Sequence, residues 1–386
     1  MNGFLRAPGH VARGLLWAIV GALASCASAP LPPADEVGPP PRTASPSDVQ
    51  GAPLPPAIVQ GRSRWQAVRW SELPGFTDDA LDDAWNGWLK SCERPGAVFA
   101  ALCPEVRQLS IGSPQAQRSW MMLRLQPYRV EPLQGVSDGL LTGYYEPMLE
   151  ASRQRTATKT VPLYRPPATL ASRKPWYSRR DIDTLPEAGA ALRGREIAWV
   201  ADPIEALILQ IQGSGRVRIT EPDGSQRVVR LAFAASNDQP YRSVGAWLLQ
   251  QGAVRDASWP GIKAWAAQNP QRVNEMLWSN PRTVFFREEP LSELDAAFGP
   301  RGAQGVPLTP GRSIAVDKDS IPFGTPVWLV SSGPVLDLRR LVFAQDTGSA
   351  IVGALRADYF TGWGAAAGDI AGRLKQPLAL WVLWPK

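Results

Sequence analysis

From Pro127 onward the apolar residues of this chain come in runs too short for ordinary helices, and most runs are closed by Gly or Pro. Segments 139–145, Val161–Tyr164 and Glu196–Val200 are of this kind, and the same reading extends to 206–212. Segments 216–220 and 226–233 flank Pro222-Asp-Gly224, a pattern that predicts a meander with a tight turn. Segments 243–251 and 261–278 return to helical spacing, the second broken at Pro270. Strands then resume at 283–286, Ser313–Val316, 326–330, 340–344 and 378–383. Upstream, 78–90 places Leu81, Trp85, Trp88 and Leu89 on one helical face, with Thr77 as the expected N-cap, and 115–125 reads as a second helix. The expected fold is mainly β with a helical N-terminal part. Many short strands with few long helices predict β-barrel-like domains rather than a parallel sheet with crossovers.

The N-terminus carries a different message. Arg6 and Arg13 precede a ten-residue apolar run, Leu15–Ala24, and then Leu23-Ala-Ser-Cys26. A basic start, a short apolar stretch and small residues form a secretion signal too short to span a bilayer. The Leu-Ala-Ser-Cys ending resembles a bacterial lipobox, which makes residues 1–25 a signal peptide and Cys26 the lipidated first residue. An ordinary signal peptide cut near Ala29 is the alternative. Ala27 after the Cys, rather than Asp, implies by the same resemblance the outer membrane, with the chain anchored through Cys26 on its periplasmic face. Between Pro30 and Pro56 lie ten prolines, so residues 26–61 read as an extended tether.

The remaining body, about 62–386, is long enough for two domains. Removing residues 1–26 takes away two Arg and no acid, so the formal charge falls from +6 to +4. Without a Lys/Arg cluster this does not argue for nucleic acid. The sign suits acidic cell-wall peptides only weakly. Sixteen Trp and seven Tyr suit sugar stacking, though core packing accounts for most of them.

What the body lacks constrains its chemistry further. The only His is His10, inside the signal, and with Cys26 given to lipid only Cys92 and Cys103 remain. A histidine-based triad is excluded, and a Cys/His zinc site is not expected. No metal or cofactor is expected, so acid–base chemistry falls to Asp, Glu, Tyr or Lys. Cys92 and Cys103, in an oxidising compartment, form either a disulfide or two buried thiols.

Three segments could carry that chemistry: Gly143-Tyr-Tyr-Glu-Pro147, Gln210-Ile-Gln-Gly-Ser-Gly215, and the block from Ala315. The block contains Ala315-Val-Asp-Lys-Asp-Ser, then Phe343-Ala-Gln-Asp-Thr-Gly348, then Leu355-Arg-Ala-Asp-Tyr-Phe360. Asp346 falls where an apolar strand meets a Thr-Gly turn, a place where a carboxylate is partly desolvated and its pKa rises. Asp358 lies twelve residues on, after a turn that could fold it back beside Asp346. Two neighbouring carboxylates push their titrations apart and keep one protonated. Turn capping by both Asp side chains is the plain alternative. Gly213-Ser-Gly215 alone is as readily a strand-end turn as a binding loop, and Gly-x-Ser-x-Gly is missing.

Taken together, the C-terminal block closely resembles the 3D domain, named for three aspartates that here would be Asp317, Asp346 and Asp358. With Thr142-Gly-Tyr-Tyr145 and Gln210–Gly215 in the same order, the chain from about 65 to 386 resembles the membrane-bound lytic murein transglycosylase A family. Ser349 stands where that pattern more often has a second Gly, which alters the local turn.

The resemblance implies a double-psi β-barrel built from 62–147 and 282–386, with a smaller β domain, 148–281, inserted and a glycan groove between the two. It implies non-hydrolytic cleavage of the β-1,4 bond between N-acetylmuramic acid and N-acetylglucosamine in peptidoglycan, leaving 1,6-anhydromuramyl ends. Asp358 would be the acid and then the base, and Asp346 the neighbour that tunes it. Thr142, Tyr144, Tyr145, Gln212 and Ser214 would bind substrate, with one of the two tyrosines given to the core. Asp317 would be structural or at the groove edge. Glycan strands, outer-membrane lipid and other wall enzymes are the implied partners. Two other readings stay open: a glycosidase that hydrolyses peptidoglycan, and a non-catalytic peptidoglycan-binding lipoprotein.

Overall fold

The computed structural model describes residues 53–135 and 138–386. The expected signal peptide, the lipidated Cys26 and the tether up to residue 52 lie outside the described residues. Nine strands form one sheet. Chain order gives β1 (Ile58–Gln60), β2 (Ser63–Ala67), β3 (Leu125–Pro132) and β4 (Gly139–Glu146). The next six strands belong to a second sheet: β5 (Met148–Ser152), β6 (Val161–Tyr164), β7 (Glu196–Val200), β8 (Gly215–Thr220), β9 (Gln226–Ser236) and β10 (Val284–Pro290). The first sheet then resumes with β11 (Ser313–Val316), β12 (Pro326–Ser332), β13 (Asp337–Asp346), β14 (Arg356–Trp363) and β15 (Lys375–Pro385).

The order β15-β12-β13-β11-β14-β4 returns to β15, so six strands of the larger sheet close into a barrel-like ring. Closure removes exposed edges. β1, β2 and β3 extend the sheet outward from β15. Alternation decides which side chains fill the ring. Leu141, Ile314, Val316, Val342, Ala344, Ala357 and Tyr359 point into one buried cluster, while the residues between them face the other way. The N-terminal helices pack against the outside through Trp85, Trp88, Trp328 and Phe343. Cys92 and Cys103 are disulfide-bonded inside that packing, with Cα atoms 5.6 Å apart.

Four sequence expectations change. The body begins before Arg62, because Ile58–Gln60 pairs with β2 instead of belonging to the tether. The first helix starts at Asp82 without a Thr77 cap. Asp79, expected inside that helix, is instead held by both Nη atoms of Arg312 (2.7 and 2.8 Å) and by Leu341 N–H. Segment 206–212 is not a strand but the end of a helix, Pro203–Gln212. Its apolar run is unbroken because nearly every side is covered, so periodicity could not separate the two states. Asp202 capping Ile204 N–H and Gly213 at φ 81° mark its ends. Finally, the second sheet continues past 281 to Pro290, because β10 pairs with β9.

One buried cluster joins the sheets. Glu146, the last residue of β4, is fully buried and accepts from Arg216 Nε (2.8 Å) and Arg230 Nε (2.6 Å). The same guanidiniums donate to the carbonyls of Ala296 and Phe298 on the chain returning from the second sheet. Arg216 also lies 4.0 Å over the ring of Trp363, the last residue of β14. Among the described residues no helix is long and apolar enough to cross a membrane. Glu146→Ala would leave two buried guanidiniums without their counter-ion, and urea unfolding should show a loss of about 3–5 kcal/mol.

Candidate active site

The barrel brings Asp346 and Asp358 to one face by register. On β11, Ala315 pairs with Asp358 of β14 on one side and with Asp346 of β13 on the other. Thr142 of β4 pairs with Asp358 from beyond β14. The row therefore reads Thr142, Asp358, Ala315, Asp346 across four strands. With one small residue between them, the two aspartates are two strand spacings apart, about 9–10 Å between Cα atoms.

A bulge makes this possible. Ile314 pairs with Ala344, but the next residue, Ala315, pairs with Asp346 and skips Gln345. Two residues of β13 thus oppose one of β11, which turns Asp346 onto the face that Asp358 occupies. The skipped Gln345 is fully buried and anchored: its amide donates to Gly87 O and Ser91 Oγ, and its Oε1 accepts from Ser313 Oγ.

The two carboxyls have different partners. Asp346 accepts three hydrogen bonds: Tyr144 O–H to Oδ2 (3.0 Å), and Ala303 and Thr347 N–H to Oδ1 (both 2.9 Å). Asp358 accepts one, from Thr142 Oγ1 to Oδ1 at 2.6 Å. Arg356 donates to that same Thr142 oxygen at 2.8 Å. A hydroxyl that accepts from a guanidinium turns its one proton toward the carboxylate. A proton on Asp358 therefore belongs on Oδ2, which has no hydrogen-bond partner among the described residues. Burial raises both carboxyls. It takes Asp346 up to about 6, against the pull of its three donors, and the charge of Asp358 adds to the rise. Asp358 is also raised by burial, while Thr142 and Arg356 pull it down. Burial and the two carboxylates together push the Tyr144 hydroxyl well above its ordinary value. Such a pair titrates as a unit.

Both aspartates open into a cavity of about 850 Å³ whose other wall comes from the second sheet and its loops. Of the residues expected to bind substrate, Tyr144, Gln212 and Ser214 line it. Three do not. Thr142 stands behind Asp358 rather than in the cavity. Tyr145 points away, packing with the helices of the second lobe, while its N–H donates to Gln212 Oε1 (3.0 Å). Asp317 accepts from Gly353 N–H (2.8 Å), Asp319 N–H (3.1 Å) and Arg62 Nη1 (3.2 Å), which ties β11 to the turn before β14. It is a scaffold residue outside the cavity lining. Gly143 explains how β4 sits so close beneath the helix Gly364–Arg373: a Cβ there would lie 2.8 Å from Ala371 Cα.

Sequence reasoning missed Arg356 and Ala315. Arg356 stood two residues from an assigned Asp, but only the register shows that it reaches Thr142. Among the described residues no group of three or more His, Cys, Asp or Glu could hold a metal ion.

Because the folded pKa of Asp346 is raised, its contribution to stability is present below the unfolded carboxylate range and is lost as pH rises through about 6. Asp346→Asn should therefore melt at a higher temperature than the parent at pH 8. That gain should shrink toward pH 4, where the parent carboxyl is itself protonated; thermal unfolding across this range measures it.

Two family models match the chain, "MltA specific insert domain" over residues 140–287 and "3D domain" over 312–384. A protein of Escherichia coli K12 named membrane-bound lytic murein transglycosylase A is 31% identical over 282 residues, 69% of this chain and 71% of that one. One of the same name from Vibrio cholerae is 31% identical over 256 residues, 63% of this chain and 65% of its own length. Among solved structures, the lytic transglycosylase LtgG of Burkholderia pseudomallei is 44% identical with a TM-score of 0.59, over 87% of this chain and 99% of that one. E. coli MltA with bound chitohexaose is 26% identical with a TM-score of 0.66, over 83% and 94%. With its fold and these likenesses in agreement, the chain belongs to the membrane-bound lytic murein transglycosylase A family of enzymes.

Proposed function

We propose that the chain is a lytic transglycosylase that cleaves the β-1,4 bond between N-acetylmuramic acid and N-acetylglucosamine in peptidoglycan. The observation that carries the assignment of roles is the free Oδ2 of Asp358, set against an Asp346 whose two oxygens already accept three donors. Asp358 protonates the bridging oxygen as its bond to C1 of the muramyl residue breaks. The C6 hydroxyl of that same residue attacks C1, and its proton passes to the Asp358 carboxylate, which is thereby recharged. The product is a 1,6-anhydromuramyl end, and no water is consumed. An attacking hydroxyl on the same sugar carries a high effective molarity, so the site needs no second carboxylate to activate water. Asp346 holds negative charge beside the developing cation at C1.

In this reading the ring of six strands is a double-psi β-barrel within a domain formed by 58–147 and 291–386, with 148–290 inserted and the cavity between them serving as the glycan groove. The E. coli structure with chitohexaose supports a glycan chain as ligand. Relatives named membrane-bound support an anchored protein, and Cys26 would supply the lipid, at the outer membrane facing the periplasm. Other wall enzymes would be its partners there.

A hydrolase is the second reading, and one observation favours it. Two carboxyls brought to one face are the kind of pair, acid and water-activating base, that inverting glycosidases use. Mass spectrometry of products from purified peptidoglycan separates the two. Transglycosylase action yields anhydromuropeptides one water lighter than hydrolysis products, and reducing ends would instead establish the hydrolase. Asp358→Asn should lower the yield by about 10²–10⁴-fold. Full activity in that variant would move the acid role to Asp346.

Thr142→Val gives a finer check. The hydroxyl lowers the Asp358 pKa, so its removal raises it, and the acid stays protonated to higher pH. The descending limb of kcat against pH should move upward, while the maximum falls about tenfold as the carboxyl loses its orientation.

A further inference from the structure

The cavity that holds the acid pair is basic, and three of its arginines, Arg179, Arg282 and Arg287, come from the second lobe. Six arginines, Arg94, Arg179, Arg282, Arg287, Arg301 and Arg356, line the cavity with only two carboxylates, Asp346 and Asp358. Among the described residues, Arg287 alone of the six has a carboxylate within 4.0 Å, that of Glu289. Arg356 is committed to Thr142 and to the carbonyls of Leu140 and Ala357. Arg179 and Arg282 are placed differently. Both are partly buried on the second lobe. Arg179 donates to Gln210 Oε1 (2.7 Å) and to the carbonyls of Arg282 (2.6 Å) and Asn280 (3.2 Å), whereas Arg282 has only a long contact with Gln239 O (3.4 Å). Burial lowers the pKa of both, Arg179 to about 10, so each is still a cation at neutral pH. Asp183 near Arg179 and Asp238 near Arg282 offset part of that cost by charge, but neither is in direct contact, so both guanidiniums keep unused charge-assisted donors.

Arg282 stands at a branch, and Arg179 lines the main cavity beside it, bonded to its carbonyl. A smaller cavity of about 490 Å³, lined by Asp238, Gln239, Pro240, Arg282 and others, shares Tyr241, Arg282, Ser349 and Ala350 with the main one. Ser349 lies three residues beyond Asp346. Asp238, the acid of this branch, pairs with Lys174 at 3.6 Å. A planar guanidinium with no carboxylate in direct contact among the described residues, beside a channel for a polymer, matches a carboxylate carried on that polymer. We propose that Arg179 and Arg282 form a subsite for a carboxylate on the 3-O substituent of a muramyl residue, seated in the side branch while the sugar lies in the main cavity. This rests on the glycan reading given above and adds to it the part of the substrate that a chitin chain lacks. The carboxylate has two sources, the lactyl group itself and the stem peptide attached to it.

The test is binding, followed by intrinsic tryptophan fluorescence in an Asp358→Asn background so that nothing turns over. Four probes are compared: glycan fragments bearing stem peptides, the same fragments stripped to free lactyl carboxylates, peptide-bearing fragments with carboxylates converted to amides, and chitohexaose. The parent should prefer carboxylate-bearing fragments to chitohexaose. Arg282→Gln should cut that preference about tenfold, the loss expected for one charge-assisted contact. Arg282→Lys should restore part of it. Amide conversion should produce the same loss with the parent protein where the stem peptide supplies the carboxylate, because the lactyl carboxyl of those fragments is already an amide. A loss seen with stripped fragments assigns the lactyl carboxylate, and a loss confined to peptide-bearing fragments assigns the stem peptide. A preference unchanged by both Arg282→Gln and amide conversion, with glycan binding intact, overturns the subsite and leaves the glycan reading standing. A parent that binds none of the four probes overturns both.

Discussion

Glu146 is the point on which the geometry of the site turns. Its buried carboxylate neutralises two guanidiniums that would otherwise repel each other at the place where the chain leaves the barrel. Buried ion pairs often contribute little net stability, because desolvation offsets their attraction. Their value lies in direction. Two planar forks shared among one carboxylate and two carbonyls fix how β4, β8, β9 and the returning chain meet. Every residue of the cavity is carried on one side or the other of that joint.

The cavity it frames is electrically divided. On the barrel side two carboxyls sit in low dielectric, where burial opposes their charge and one of them can keep a proton near neutrality. On the opposite side, guanidiniums are short of counter-ions. The division is maintained close to the acid as well. Arg356 reaches Asp358 through the hydroxyl of Thr142 rather than directly, so its charge orients the acid without a direct ion pair that would strip the proton from it. Substituting a hydroxyl from the neighbouring strand for a salt bridge is what lets an arginine and a protonated carboxyl coexist two residues apart on one strand.

Much of this was legible from residues alone. The short runs closed by Gly and Pro announced the sheets, the missing histidine left acid–base chemistry to Asp, Glu, Tyr or Lys, and Asp346 and Asp358 were named together. What stayed hidden depends on register. Nothing in Phe343-Ala-Gln-Asp says that Gln345 is the bulged residue, yet a straight β13 would place Gln345, not Asp346, opposite Ala315. Thr142 looked like a groove residue because its neighbour Tyr144 is one, and only the pairing of β4 with β14 shows it behind the acid. The helix Pro203–Gln212 was lost for the opposite reason, since burial erased the periodicity that would have revealed it.

The contact between Thr142 and Asp358 also has a meaning in time. The two residues are 216 positions apart in the chain, with the whole second sheet between them. Parallel pairing of β4 with β14 closes a very long loop and therefore belongs to a late stage of folding. Until that stage the acid has neither its hydroxyl donor nor its neighbour across Ala315. On the proposed assignment of roles, a chain that has not finished folding has no cutting power, which arrives only with the closed barrel.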